Sequence, residues 1–244
     1  MKICLALLLT LTAFRAEARV PDQISTPRLP KLLLDSVRDP WVYSIDTMSG
    51  WTVHTNVALI HSDTAAAMKR ILARGLDSIS HIFPIKSLPL LRKSQIWIER
   101  NGDFRGMTYH LSASWLKQNG YNPAMASGIE LSDPTIFVID SEYGLEALFN
   151  CLMIGYGFQI SESGDKSILE AYQHLLQTDL YKKVVDETGR TEYGTARNTA
   201  WDYFAVLCKA YLNRSSSYPF TRKSLREYDR AGFELVSRYL GEGR

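Results

Sequence analysis

The side chains able to do hydrolytic chemistry are few and poorly spaced for it. Five histidines stand at positions 54, 61, 81, 110 and 174, and none lies between Leu111 and Gln173. No two are four apart, so the chain lacks the H-E-x-x-H pair that sets two imidazoles on one helix face around zinc. The strained serine elbow G-x-S-x-G and the phosphate-cradling loop G-x-x-x-x-G-K-[ST] are also absent from the sequence. A thiol nucleophile needs a histidine and a recognisable catalytic context. Neither Cys151 nor Cys208 has that context, and a buried or disulfide-bonded cysteine is the ordinary reading of both. Two cysteines are too few for a cysteine-rich structural zinc site. His54 and His110 fall in or at the end of expected strands and read as packing histidines.

The elements that would position these residues change character along the chain. Residues 19–49 carry Pro21, Pro27, Pro30 and Pro40 with little periodicity, and read as an irregular lead-in. Val53, Val57 and Leu59 suit a strand. Ser62 can cap a helix with the apolar face Met68, Ile71, Leu72, Leu76, Ile79 and Ile82, which Pro84 stops. Gln95 to Arg100 and Met107 to His110 read as strands, with a turn at Asn101-Gly102-Asp103. Ser112 or Ser114 caps a short helix ending at Asn119-Gly120. Gly128 to Leu131 and Thr135 to Ile139 read as two further short strands. Four helices follow: Glu142 to about Tyr156, ended by Gly155 and Gly157, then about 166–177, 199–212 and 223–240. A mixed sheet followed by a mainly helical half predicts one α+β domain.

Composition narrows the function classes. The 244 residues are 45% hydrophobic and 22% charged, with a net charge of +2, which is globular rather than disordered. So small a charge excludes a binder that holds nucleic acid by charge alone. Lys2, the apolar run Ile3 to Leu11 and the small-x-small triplet Ala16-Glu17-Ala18 predict a signal peptide over residues 1–18, hence a secreted or periplasmic protein. No later run is apolar enough to predict a transmembrane segment. Cys4 leaves with the leader, so Cys151 and Cys208 allow one disulfide at most. Asn213-Arg214-Ser215 is a glycosylation sequon, relevant only in a eukaryotic secretory pathway.

Several phrases taken in order carry more information: Gly50-Trp51-Thr52-Val53-His54, Gly106-Met107-Thr108-Tyr109-His110, Trp115 through Pro123, Asp202-Tyr203-Phe204-Ala205, Lys209-Ala210-Tyr211 and Tyr218-Pro219-Phe220. In them the chain resembles a family of secreted zincin-like metallopeptidase-domain proteins, distantly similar to the catalytic domain of anthrax lethal factor. The resemblance spans roughly residues 50–241. In that family a helix bears H-E-L-A-H, and a downstream E-Y-F-A-E helix supplies the third zinc ligand. The first motif falls on Asn150-Cys151-Leu152-Met153-Ile154. The second falls on Asp202-Tyr203-Phe204-Ala205-Val206.

The resemblance therefore implies a degenerate site. Asn150 and Ile154 stand at the two histidine positions, Cys151 at the general-base glutamate and Asp202 at the remaining ligand. Tyr193 matches a tyrosine that aids the transition state. Isoleucine has no donor atom, an amide suits zinc poorly, and a thiol does not replace a carboxylate that activates water. The expectation is a zinc-free pseudoenzyme with no other cofactor, whose groove binds a peptide or protein at exposed edge strands near Gly128 to Ile139. A Cys151–Cys208 disulfide would join the helices that the metal otherwise links. The alternatives are a hydrolase rebuilt from Asp202, Glu146, Tyr193 or His110, and a structural or assembly protein.

Overall fold

The computed structural model describes residues 41–100 and 106–241. The expected signal peptide, the expected lead-in up to residue 40 and the expected Asn101-Gly102-Asp103 turn lie outside them. The chain is α+β, with a five-stranded mixed sheet and a helical second half.

The first strand pair begins inside the segment read as irregular. β1 (Tyr43–Met48) pairs antiparallel with β2 (Trp51–Asn56), and Met48 opposite Trp51 leaves Ser49-Gly50 as a two-residue turn. Both turn residues have positive φ, 49° and 90°, the primed turn whose twist matches the strands it joins. The proline-rich neighbourhood hid an edge strand whose own sequence is only half apolar. Val57–Leu59, read as strand, is one 3-10 turn capped by Asn56, whose side chain accepts from the Ala58 N–H.

α1 (Asp63–Ile82) follows, with Ser62 Oγ accepting from the Ala65 N–H, and buries Met68, Leu72, Leu76 and Ile79. α2 (Leu88–Leu91) leads into β3 (Ile96–Ile98). β4 (Met107–Tyr109) and α3 (Ala113–Gln118) come next, and Ser112 rather than Ser114 caps α3. β5 is Ile129–Leu131. The sheet order is β1-β2-β3-β5-β4, so β5 is interior. β2, β3 and β5 run parallel, while β1 and β4 are antiparallel edges.

Thr135–Ile139 was expected to be a strand and is instead helix α4 (Pro134–Ile139). Asp133 accepts from the Thr135 N–H and Pro134 holds the first helical position, so the start signal overrides the β-branched run. The expected peptide-pairing edge at Gly128 to Ile139 is corrected with it. β5 is bonded on both sides, and the terminal strand of this half is β4.

Asp140 caps α5 (Ser141–Glu162), which passes straight through the glycines expected to end it. They serve close approach. A Cβ at Gly155 would lie 2.5 Å from the Tyr109 ring, and one at Gly157 would lie 2.8 Å from the Phe204 ring. α6 (Ser167–Leu176), a hairpin of β6 (Val184–Val185) and β7 (Thr191–Glu192), and α7 (Ala200–Tyr211) follow. The single helix expected over 223–240 is two, α8 (Arg222–Tyr228) and α9 (Arg230–Leu240), because Asp229 ends one and caps the other. Its Oδ1 accepts from the Gly232 N–H and its Oδ2 from the buried Tyr203 hydroxyl.

Alternation divides the sheet. Val53, Ile96, Ile98, Tyr109, Ile129 and Leu131 enter the main core with α1, α5, α7 and α9. The opposite residues, His54, Asn56, Trp97, Glu99, His110 and Glu130, lie under a small cover of Leu116, Tyr121 and Met125.

Candidate functional site

α5 and α7 pack along each other, and α5 also packs on β4. This seam holds most of the positions the resemblance singled out. Asn150 and Ile154 are half-buried on α5, and Cys151 is buried. Burial pushes the Cys151 thiol up to about 12; the Tyr109 backbone opposes this with a hydrogen bond, and the charge of Asp202 adds to it. A thiol so placed stays protonated near neutral pH and cannot take a proton from water. Cys208 is also buried, and burial holds its thiol well above the ordinary value. The two are free thiols, so the expected disulfide is not formed.

Asp202 lies in the first turn of α7, where Thr199 is the cap. The Thr199 hydroxyl accepts from the Asp202 N–H at 3.0 Å and donates to Asp202 Oδ2 at 2.7 Å. Burial raises the Asp202 carboxyl, opposed by that hydroxyl and by Lys209. Lys209 is the residue that sequence reading passed over. Its side chain is 15% exposed, and its ammonium stands 4.0 Å from Glu146 Oε1 on α5. Burial lowers its pKa against the charges of Glu146, Asp202 and Glu192. Two turns separate 202 from 209 on one helix, which was the available signal.

Tyr193 is 85% exposed and is not gathered into the seam. His110 is on the other side of the sheet, which removes it from a rebuilt site with Asp202. There its Nε2 donates to Glu130 Oε2 at 2.6 Å, and Ser132 donates to Glu130 Oε1 at 3.2 Å. His54 stacks on Trp97 with centroids 3.7 Å apart and bonds Gln95 at 2.7 Å. Tyr43 donates to Glu99, which also accepts from Asn56. Glu99 and Glu130, 4% and 2% exposed, were missed because each looks like an outward residue of a short strand. Only the cover shows that this face is closed.

A shallow groove runs between β4, α4 and the start of α5, lined by Met107, Leu131, Ile136, Phe137 and Tyr143 among others. Its open space is about 280 Å³, continuous with solvent and suited to one side chain rather than a whole small molecule. Gly106 accepts from the Ser132 N–H, and the His110 N–H donates to Gly128. The alternation therefore turns the backbone groups of Met107 and Tyr109 away from β5, where the Tyr109 backbone meets Cys151 on α5 and that of Met107 lies beside the groove.

Among the described residues no three His, Cys, Asp or Glu side chains are placed to hold a metal ion. No described helix is long and apolar enough to cross a membrane. Compared with known proteins, the chain matches no family model, no curated protein and no solved structure.

Proposed function

We propose that the chain is an exported, metallopeptidase-like protein that binds an extended peptide without cutting it. The observation that carries this reading is the chemistry of the α5–α7 seam. Asp202, at the position the resemblance gives to a zinc ligand, already has a hydroxyl donor in Thr199 and a counter-charge in Lys209. Cys151, at the general-base position, is a buried neutral thiol. A divalent ion there would have to compete with a resident ammonium, and would find no base beside it to deprotonate its water.

Peptide binding is supported by the β4 edge and its groove. The outward backbone groups of Met107 can extend the sheet by one strand, and the apolar hollow beside them takes an alternate side chain. Tyr143, which lines that hollow, is 56% exposed.

The test has two arms. Purified protein titrated with zinc is expected to retain no stoichiometric metal and to leave a fluorogenic peptide library uncut; about one zinc per chain with turnover would overturn the reading. Panning random linear peptides on the same protein is expected to yield binders whose affinity falls roughly tenfold in Tyr143→Ala. Failure to select any peptide would equally reject it.

A further inference from the structure

Among the described residues, β1 has a strand on one side only. Its six residues pair one to one with β2, without a bulge, whereas β4 at the other end of the sheet is three residues long. The Val57 N–H donates to Val42 O at 3.0 Å, which sets the alternation of the ladder. Ser44, Asp46 and Met48 therefore turn their backbone groups to β2, while Tyr43, Ile45 and Thr47 turn theirs outward. Edge strands are ordinarily blunted by proline, lysine, a bulge or shortness. Tyr43–Met48 has no proline and no lysine, and Ile45, in the middle of the outward set, is 65% exposed.

The chemistry of the strand selects its occupant. Antiparallel pairing with a second copy about Ile45 sets Ile45 opposite Ile45, Tyr43 opposite Thr47 and the exposed Val42 opposite Met48. The one charge of the strand, Asp46, reaches Lys69 of α1 at 2.8 Å and in this register lies opposite Ser44, a hydroxyl donor. Centring the pair on Asp46 would put two carboxylates face to face, and centring it on Ser44 would put Asp46 against Val42, so charge favours Ile45. A second copy also brings a strand already ordered by its own β2. It loses less conformational freedom on pairing than a free peptide would.

We propose that β1 is a homodimer interface, through which two copies join edge to edge over Tyr43–Met48 about a two-fold axis at Ile45. The two sheets then run on as one. A contact confined to one strand from each copy is small, so the dimer forms and dissociates with concentration and is not permanent. It lies at the opposite end of the sheet from the β4 groove and does not depend on peptide binding there.

Sedimentation velocity of the purified protein over a rising concentration series reads the association directly. The mass is expected to move from one chain to two. Ile45→Lys and Ile45→Glu each place like charges at the two-fold, and each is expected to stay at the mass of one chain throughout. Because Ile45 is exposed, both should keep the circular dichroism of the unaltered protein. An equal mixture of the two variants is expected to recover the two-chain mass, since lysine then meets glutamate across the axis. A loss of solubility or a general change of surface would not be reversed by mixing. An unaltered protein that keeps the mass of one chain at every concentration would overturn the interface, including one that takes up a peptide along β1 instead. A two-chain mass that persists in Ile45→Lys, or a mixture that stays at one, would overturn it equally.

Discussion

At the scale of single residues, the seam is governed by what burial does to charge. Cys151 sits where the resemblance implies a catalytic carboxylate, yet a thiol costs less to bury than a carboxylate provided it stays protonated. Its pKa near 12 follows from that environment, and that of Cys208 is displaced in the same direction. Both cysteines are therefore expected to resist iodoacetamide at pH 8 in the folded protein and to react fully once it is unfolded without reductant. A cysteine that stayed blocked after unfolding would mean a disulfide, and rapid labelling of the native protein would mean an open seam. Asp202 is the complementary case, a buried carboxyl that accepts from the Thr199 hydroxyl and is offset by the charge of Lys209.

Secondary elements are stopped, started and brought close by a few polar side chains and glycines. Asp133 with Pro134 turns a strand-like run into α4, and Asp140 starts α5 immediately afterwards. Asp229 has the widest reach, since it breaks the last helical stretch, caps α9 and receives the Tyr203 hydroxyl from α7. Asp229→Ala removes a helix cap, worth about 1 kcal/mol, and leaves a buried hydroxyl unpaired, which costs roughly 1–3 kcal/mol more. A loss of about 2–4 kcal/mol in urea unfolding is expected, while Asp229→Asn should recover part of it, since its Oδ1 keeps the cap and its Nδ2 can donate to the Tyr203 hydroxyl oxygen. Equal losses in the two variants would show that the capping geometry is not the cause. Gly155 and Gly157 act oppositely to the helix-ending role read from sequence. They weaken α5 locally, and in return let it approach β4 and α7 closely enough for ring packing.

For the whole molecule, one apolar cluster runs from Trp51 on β2 through α1, α5 and α7 to Leu240 on α9. The mixed half and the helical half share that core, so they should unfold together. Tryptophan fluorescence and far-ultraviolet circular dichroism are expected to give coincident denaturation curves; separated midpoints would show two independently stable halves. The smaller cover of Leu116, Tyr121 and Met125 over the second sheet face is attached to the same sheet and should melt with it.

The sequence by itself determined the α+β class, the amphipathic helix α1 with its Ser62 cap, the strands at Ile96–Ile98, Met107–Tyr109 and Ile129–Leu131, and the absence of an H-E-x-x-H motif. These rest on periodicity, capping and spacing, which are properties of neighbours in the chain. Only the tertiary structure decided which strand ends the sheet, that Glu99 and Glu130 are buried, that Gly155 and Gly157 lie within α5, and that Lys209 stands beside Glu146. Each of these depends on residues from separate elements meeting in space. Whether a polar residue is solvated or buried, or a glycine is a stop or a contact, is set by what packs against it and not by the residues beside it.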